Sequence, residues 1–359
     1  MRNAWGRSEE LIQILKAVAP GTELRDGLEN ILKARTGALI VVGDSEEVIK
    51  IADGGFKINE DYSPARLYEL AKMDGAIVLS KDAKKILLAN TQLVPDSTIS
   101  TVETGTRHRS GERVAKQTGE MVISISQRRN VITIFKGNMR YIIKESSQVL
   151  AKANQAIQTV ERYKVSFDEV ISTLNEFEFE DIVSLENVIR AIQRAELTMR
   201  VVSEVNGYIV ELGDEGRLLD MQLRELSGNI EKEELLIIKD YLRSKSAAED
   251  VLEVISEITH EELMDTTILA KYLGYTVETS LDDIEVATKG YRLLSKIPKT
   301  PMNIIENMVK KIGNFQHIVR ASIEELDDIE GIGEVRAKNI KQGIKRLQEQ
   351  AIYESRYYR

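Results

Sequence analysis

Met121-Val122-Ile123-Ser124-Ile125-Ser126-Gln127-Arg128-Arg129-Asn130-Val131-Ile132-Thr133-Ile134-Phe135 holds two β-branched apolar runs joined by a polar connection. That pattern predicts an antiparallel hairpin, and Tyr141-Ile142-Ile143 follows closely enough to extend it. Towards the amino terminus, Ala38-Leu39-Ile40-Val41-Val42, Ala76-Ile77-Val78-Leu79 and Ile86-Leu87-Leu88-Ala89 have the same character. Helical patterns at Pro64 to Lys72 and Glu112 to Thr118 lie between them. Ahead of the strands, Ser8 and Thr22 stand where helix caps are expected; Pro20-Gly21 stops the first helix and Thr36-Gly37 the second. Residues 1–145 therefore read as an α/β domain with a mixed sheet flanked by helices.

The rest of the chain reads as helix. The prolines are Pro20, Pro64, Pro95, Pro298 and Pro301, and glycine is absent from Asn138 to Asn206, so one long middle stretch lacks both helix breakers. Val149, Ala153, Ile157 and Val160 step by helical intervals, and Phe167, Ile171 and Leu174 continue the stripe. Residues 146–288 are expected to form an all-α spine without catalytic spacing, and residues 289–359 a small all-α module. In that module Leu294, Ile297, Met308 and Ile312 align with Leu326, Ile329, Ile340 and Ile344 at a 32-residue offset, a match that either duplication or ordinary helical periodicity can produce.

Composition narrows the chemistry. The 359 residues carry 49 Lys and Arg against 58 Asp and Glu, a net charge of −9, so polyanions can be held only at local patches. The absence of cysteine excludes disulfides and thiol catalysis, and His108, His260 and His317 are too scattered to suggest a histidine metal cluster. No apolar run has membrane-spanning length and Met1 to Glu10 lacks a signal-peptide core, so a soluble cytoplasmic protein is expected. A P-loop ATPase is disfavoured because Gly-x-x-x-x-Gly-Lys-Ser/Thr does not occur.

Two segments carry function. In the first, Ser322 and Glu325 have capping-box spacing, Gly331-Ile332-Gly333 forms a tight turn, and the next helix bears Arg336, Lys338, Lys341, Lys345 and Arg346. Bare glycine amides at a helix start bind phosphate well. With Leu326, Ile329 and the inward Ile332, this resembles the helix-hairpin-helix motif of DNA repair proteins, which grip the phosphate backbone without reading bases. The candidate DNA contacts are Gly331, Ile332, Gly333, Arg336, Lys338 and Lys341, with Lys299, Lys310 and Lys311 as possible additions from the first repeat. The plainer alternative is a turn whose glycines only end and start helices.

In the second, Met73-Asp74-Gly75-Ala76 enters an apolar strand, and Thr106-Arg107-His108-Arg109-Ser110 stands just before the helix ending at Thr118. Hydroxyls, amides and arginines at a helix start make a polyphosphate cradle. If the stretch is extended, Arg107 and Arg109 point the same way and His108 the other. Taken singly, Asp74 is a turn residue, Arg107-His108-Arg109 a solvated surface and Ser110 a cap.

Together, Asp74-Gly75-Ala76 and Arg107-His108-Arg109 resemble the two signature motifs of the diadenylate cyclase family, and Leu67 to Met73 and Glu112 to Thr118 fit it as well. The order of cyclase domain, helical spine and helix-hairpin-helix module resembles the DNA-integrity-scanning branch of that family. Ser110-Gly111 departs from an expected Thr-Ala pair; serine keeps the hydroxyl, while Gly111 costs helix stability and is expected to loosen the cradle. The resemblance implies condensation of two ATP molecules into cyclic di-AMP and pyrophosphate with Mg²⁺ or Mn²⁺. Asp74 would polarise the attacking hydroxyl or hold the metal, and Arg107, His108 and Arg109 complete the implied catalytic set. Gly75, Ala76, Leu93, Thr106, Ser110, Ser126 and Arg128 are the further ATP contacts. Two cyclase domains must face each other, and the resemblance implies an octamer that is nucleoid-associated, binds branched DNA and is inhibited by it. The rival reading is a non-enzymatic, nucleotide-sensing scaffold for DNA repair.

Overall fold

The computed structural model describes residues 9–244 and 246–358, with side chains as far as Glu354; the cap expected at Ser8 lies outside them. They fall into two compact units, one comprising residues 9–153 with 208–218, the other the described residues of 154–207 and 219–358.

The first unit runs α1 (Glu9–Ala17), α2 (Glu23–Lys33), β1 (Ala38–Val42), α3 (Glu46–Ile51), β2 (Ala52–Asp53), β3 (Phe56–Asp61), α4 (Pro64–Leu70), β4 (Ala76–Leu79), β5 (Lys85–Leu93), α5 (Thr106–Thr118), β6 (Met121–Ser126), β7 (Val131–Lys136) and β8 (Met139–Ile142). Thr22 caps α2 as expected, its hydroxyl accepting the Arg25 amide at 3.2 Å. The sheet order is β2-β5-β4-β1-β6-β7-β8, with β3 also on β5. Only the β1–β4 pair is parallel among these strands.

Strand alternation builds a core on each side of the sheet. Ile40, Ile77, Leu79 and Ile123 meet Ile14, Leu28 and Leu67, while Leu39, Val41, Val78 and Val122 meet Val48, Val114 and Ala115. Burial on both faces explains why β1 is apolar at every position. Strand β3 is mostly exposed and polar at Lys57, Asn59, Glu60 and Asp61, so it gives no strand signal of its own.

One part of this unit comes from far along the chain. The Tyr141 hydroxyl donates to Glu211 Oε1 at 2.6 Å, and the Asp214 amide donates to the Pro20 carbonyl at 3.1 Å. Gly21, at φ +93°, lies so close that a methyl group would sit 2.1 Å from the Asp214 carboxylate.

The remaining elements are α6 (Ser146–Glu180), α7 (Leu185–Leu212), α8 (Arg217–Ser227), α9 (Ile230–Tyr241), α10 (Ala248–Glu257), α11 (His260–Met264), α12 (Thr266–Tyr272), α13 (Tyr291–Ser295), α14 (Met302–Ile312), α15 (Phe315–Arg320), α16 (Ile323–Asp327) and α17 (Glu334–Tyr358). The fold is thus a mixed α/β sheet domain followed by helical regions. Among the described residues, no helix is long and apolar enough to cross a membrane.

In the second unit, α6, α9 and α13 share a charged core. Arg292 is wholly buried; Nη2 donates to Glu178 Oε2 at 2.6 Å and Nη1 to Asn175 Oδ1 at 2.7 Å. Tyr241 donates to the other Glu178 oxygen at 2.6 Å, and Asp240 accepts the Tyr291 and Arg292 amides at 2.6 and 3.0 Å. Burial, reinforced by Glu178, pushes the Asp240 carboxyl up to about 7. A folded-state value above the unfolded one adds stability that is complete below the ordinary carboxylate range and lost as pH rises towards 7. Melting temperatures measured from pH 5 to 8 should therefore fall less steeply in Asp240→Asn than in the parent; parallel curves would remove Asp240 from this pH dependence.

The 32-residue offset recurs in the local structure. Helices α13 and α16 span matching positions, Tyr291–Ser295 and Ile323–Asp327. The turns match as well: Thr300 donates to the Ile297 carbonyl at 3.3 Å, and Ile332 to the Ile329 carbonyl at 2.9 Å. Positive φ recurs at the same place, +62° at Lys299 and +85° at Gly331. Leu294, Ile297, Met308, Leu326, Ile329, Ile332, Ile340 and Ile344 fill one core.

Candidate functional site

The residues expected to contact nucleotide lie around one end of the sheet. Met73-Asp74-Gly75 leads into β4, and Gly75 must be glycine, because a methyl there would lie 2.3 Å from the Asn90 carbonyl carbon. Asp74 points fully into solvent, with the Arg107 guanidinium 3.9 Å from Oδ1. Arg107 crosses Gly37, where a methyl would come within 2.3 Å of Nη1 and 3.2 Å of the Ile125 carbonyl. The Ala38 edge of β1, the end of β6 and the start of α5 therefore converge on the strand entry that carries Asp74.

The arginine segment departs from the extended stretch expected before a helix. Helix α5 already begins at Thr106 and contains Thr106 to Ser110. Successive residues turn by about 100°, so residues two apart diverge. Arg107 reaches Asp74, and Arg109 projects into solvent. His108 turns inward, its Nδ1 3.1 Å from Ser124 Oγ and its ring edge-on to Phe135 at 6.2 Å. Burial lowers the His108 pKa, aided by Arg129, Arg140 and Arg107 against Glu103, so the ring is neutral at pH 7. Gly105 caps α5 without a side-chain bond, leaving first-turn amides directed at the cradle.

Gly111 does not loosen this helix from the sheet. It is buried, and a methyl there would meet Leu39 Cδ1 at 3.1 Å and Val122 Cγ1 at 3.4 Å, so glycine lets α5 sit close on β1 and β6. Buried Glu112 fastens the loop before α5: it accepts from the Thr101 hydroxyl, the Val102 amide at 3.2 Å and Lys116 at 2.7 Å. Arg113 adds a bond to the Ile99 carbonyl at 2.9 Å.

The other expected contacts are distributed around this centre. Ala76 pairs with Thr91, and Leu93 lies two residues further along β5 on the same buried face. Ser126 ends β6, its hydroxyl accepting the Arg129 amide at 3.2 Å, and Arg128 is exposed in the following turn. Sequence reading missed Gly37, Asn90, Arg129 and the Glu103–Arg140 pair at 2.5 Å. None belongs to a recognisable motif; an asparagine inside an apolar strand was the one local signal.

A divalent cation fits these residues in only one manner. Among the described residues, no cluster of three or more histidine or carboxylate groups can cage a metal. Asp74 offers one accessible carboxylate, which suits an ion of the Mg²⁺ type completed by substrate phosphates and water.

The carboxy-terminal turn has the expected capping box at Ser322 and Glu325. Ile332 is buried, Gly333 is exposed with room for a methyl 4.0 Å from Asp327 Oδ1, and α17 starts immediately after it. The Arg336 guanidinium folds onto the Gly331 carbonyl, and Lys338 pairs with Glu334 at 2.5 Å; both side chains remain exposed. Lys341 is not available for phosphate: its ammonium donates to the Val319 and Ala321 carbonyls, each at 2.7 Å, and so ties α17 to the end of α15.

Two family models match the chain: DisA bacterial checkpoint controller nucleotide-binding over residues 25–140, and the DisA bacterial checkpoint controller linker region over residues 143–282. The DNA integrity scanning protein DisA of Acetivibrio thermocellus is 55% identical over 351 residues, 98% of each chain. That of Clostridium botulinum (strain Loch Maree / Type A3) is 54% identical over 344 residues, 96% of this chain and 97% of the relative. That of Clostridium kluyveri is 52% identical over 351 residues, 98% of this chain and 99% of the relative.

Proposed function

The chain belongs to the DisA family and carries its diadenylate cyclase domain, and from that premise we propose that Asp74 and Arg107 are the reacting centre of a cyclase regulated by branched DNA through the carboxy-terminal turn. The observation that carries this reading is the pairing of an exposed carboxylate with a guanidinium at 3.9 Å, both over glycines that clear the backbone.

Two ATP molecules become one ring only if each 3′-hydroxyl attacks the other's α-phosphorus, breaking its bond to the β-phosphate so that two pyrophosphates leave. One nucleotide in one site cannot close that ring, so two copies present their sites to each other; a symmetric octamer would supply such pairs. Asp74 takes up the hydroxyl proton or holds the cation beside it. A divalent cation, Mg²⁺ or Mn²⁺, supplies neutralisation of the triphosphate when bound. Arg107 and the first-turn amides of α5 hold phosphate oxygens, and Arg109, on the other flank, reaches the facing copy's nucleotide. Thr106, Ser110 and Ser126 add hydroxyls, Arg128 adds charge, and Gly75, Ala76 and Leu93 frame adenine. Neutral His108 keeps α5 in register on Ser124.

The test is direct. The purified chain, incubated with ATP and Mn²⁺ or Mg²⁺, should yield cyclic di-AMP by mass spectrometry; nucleotide binding without product would instead support a sensing scaffold. Arg107→Ala with Arg109→Ala should weaken ATP binding as well as turnover, because these charges meet the ground-state triphosphate. An unchanged binding titration would leave both arginines as solvated surface.

The DNA reading rests on the Gly331-Ile332-Gly333 turn, whose two glycines are exposed beside the exposed Arg336 and Lys338. Gly333→Asp should keep the fold, since Gly333 is exposed, a methyl there would meet nothing nearer than Asp327 Oδ1 at 4.0 Å, and aspartate caps helices well. It also sets a negative charge against phosphate. Branched DNA should slow the parent cyclase, less so at higher salt, while Gly333→Asp should escape inhibition at DNA concentrations that halve the parent rate. Equal inhibition of both proteins would mean that DNA acts elsewhere.

A further inference from the structure

We infer that Asn90 is a positioning residue for the reaction, holding the peptide between Asp74 and Gly75 at the angle that aims the Asp74 carboxylate. The inference rests on the assignment of Asp74 to the reacting hydroxyl.

Asn90 lies in the left-handed region, φ +53°, inside a strand that is otherwise extended. The ladder shows why. Ala76 pairs with Thr91 and Val78 with Leu88, so β5 carries one residue more than β4 between these pairs. The surplus residue bulges. Asparagine tolerates that backbone better than other side-chain-bearing residues.

The bulge is gripped from two sides by glycines. Gly75 lies so close that a methyl group would be 2.3 Å from the Asn90 carbonyl carbon, and one on Gly55, at φ +78°, would be 2.8 Å from the Asn90 oxygen. Thr91, the next residue, donates its hydroxyl to the Asp53 carbonyl at 3.0 Å, which fastens the turn containing Gly55 against the same strand. The Asn90 side chain then returns to the site: Oδ1 accepts the Gly75 amide hydrogen at 3.1 Å.

That bond matters because little else restrains Asp74. Its side chain is fully exposed, and among the described residues its ion-pair neighbour, Arg107, stands 3.9 Å away. The carboxylate direction follows from the Asp74–Gly75 backbone, and the Asn90 amide fixes that peptide plane. A catalytic group displaced by about 1 Å can lose up to 10²-fold in rate. Asn90 thus acts through the peptide rather than on substrate, and its removal should lower kcat far more than it raises KM.

Two variants separate positioning from backbone tolerance. Asn90→Gly accepts positive φ freely but removes the acceptor; Asn90→Asp keeps an acceptor oxygen and tolerates the same conformation. In the full-length protein, Asn90→Gly should melt within a few degrees of the parent and keep KM for ATP within about two-fold, yet lose at least five-fold in kcat. Asn90→Asp should recover most of that kcat. Hydrogen exchange of the peptide spanning Gly75, read by mass spectrometry without ATP, should be protected in the parent and Asn90→Asp and fast in Asn90→Gly. Unchanged exchange in Asn90→Gly would overturn the hydrogen bond, and parental kcat in that variant, or no recovery in Asn90→Asp, would overturn its role. A parent that shows the exchange pattern but makes no cyclic di-AMP would overturn the Asp74 assignment and leave the bond standing.

Discussion

Asp74→Asn should fold, assemble and bind ATP like the parent, yet form cyclic di-AMP on the order of 10²- to 10⁴-fold more slowly. Asn has the shape of Asp but can neither take up a proton from a 3′-hydroxyl nor offer an anionic oxygen to a cation. The fold should be indifferent, because the side chain is fully exposed and its only ion contact among the described residues is the 3.9 Å approach of Arg107. Loss of that contact costs little at such exposure. The measurement is single-turnover product formation beside an ATP binding titration. Turnover within a few-fold of the parent would remove Asp74 from the chemistry.

The largest stability effect is expected in the other unit. Arg292→Ala should destabilise it by about 3–5 kcal/mol, because Glu178 is then left as a buried charge without its partner. Asn175 and Glu233 lose donors at the same time. Urea unfolding should show the change as a lower midpoint. Replacing both charges, Arg292→Met with Glu178→Leu, should recover much of the loss, since removing a whole buried pair costs less than stranding half of it. If the single variant unfolds with the parent's midpoint, the buried pair does not hold these helices together.

Legibility in the sequence followed the range of the forces involved. Strands β1, β4, β6 and β7 could be read because both faces are buried, which leaves β1 and β4 wholly apolar and β6 and β7 largely so. Strand β3 could not, since its pairing with β5 supplies backbone bonds to a polar, exposed segment. The start of α5 was misplaced because Thr106 to Ser110 has weak helix propensity and Gly111 follows; contact with Leu39 and Val122 decides the matter instead. Asp74 and Arg107 were legible as motif residues, whereas their adjacency depends on Gly37, which no motif contains. Lys341 looked like part of a basic face until the fold supplied two carbonyl oxygens at 2.7 Å. Arg292 gave no signal: a lone arginine among apolar residues is explained by Glu178, 114 positions away, together with Asn175 and Glu233.

The paired turns of the carboxy-terminal module are alike in path and unlike in chemistry. Where one has Gly331 and Gly333, its counterpart has Lys299 and Pro301, and Pro301 stands at the head of α14. Proline has no amide hydrogen, so if both turns meet DNA, the first can offer only the exposed Lys299 ammonium where the second offers glycine amides. Such a module would hold a polyanion by unlike means at its two turns, and Lys299→Ala should lower the salt dependence of DNA binding by about one phosphate contact while leaving the glycine turn engaged.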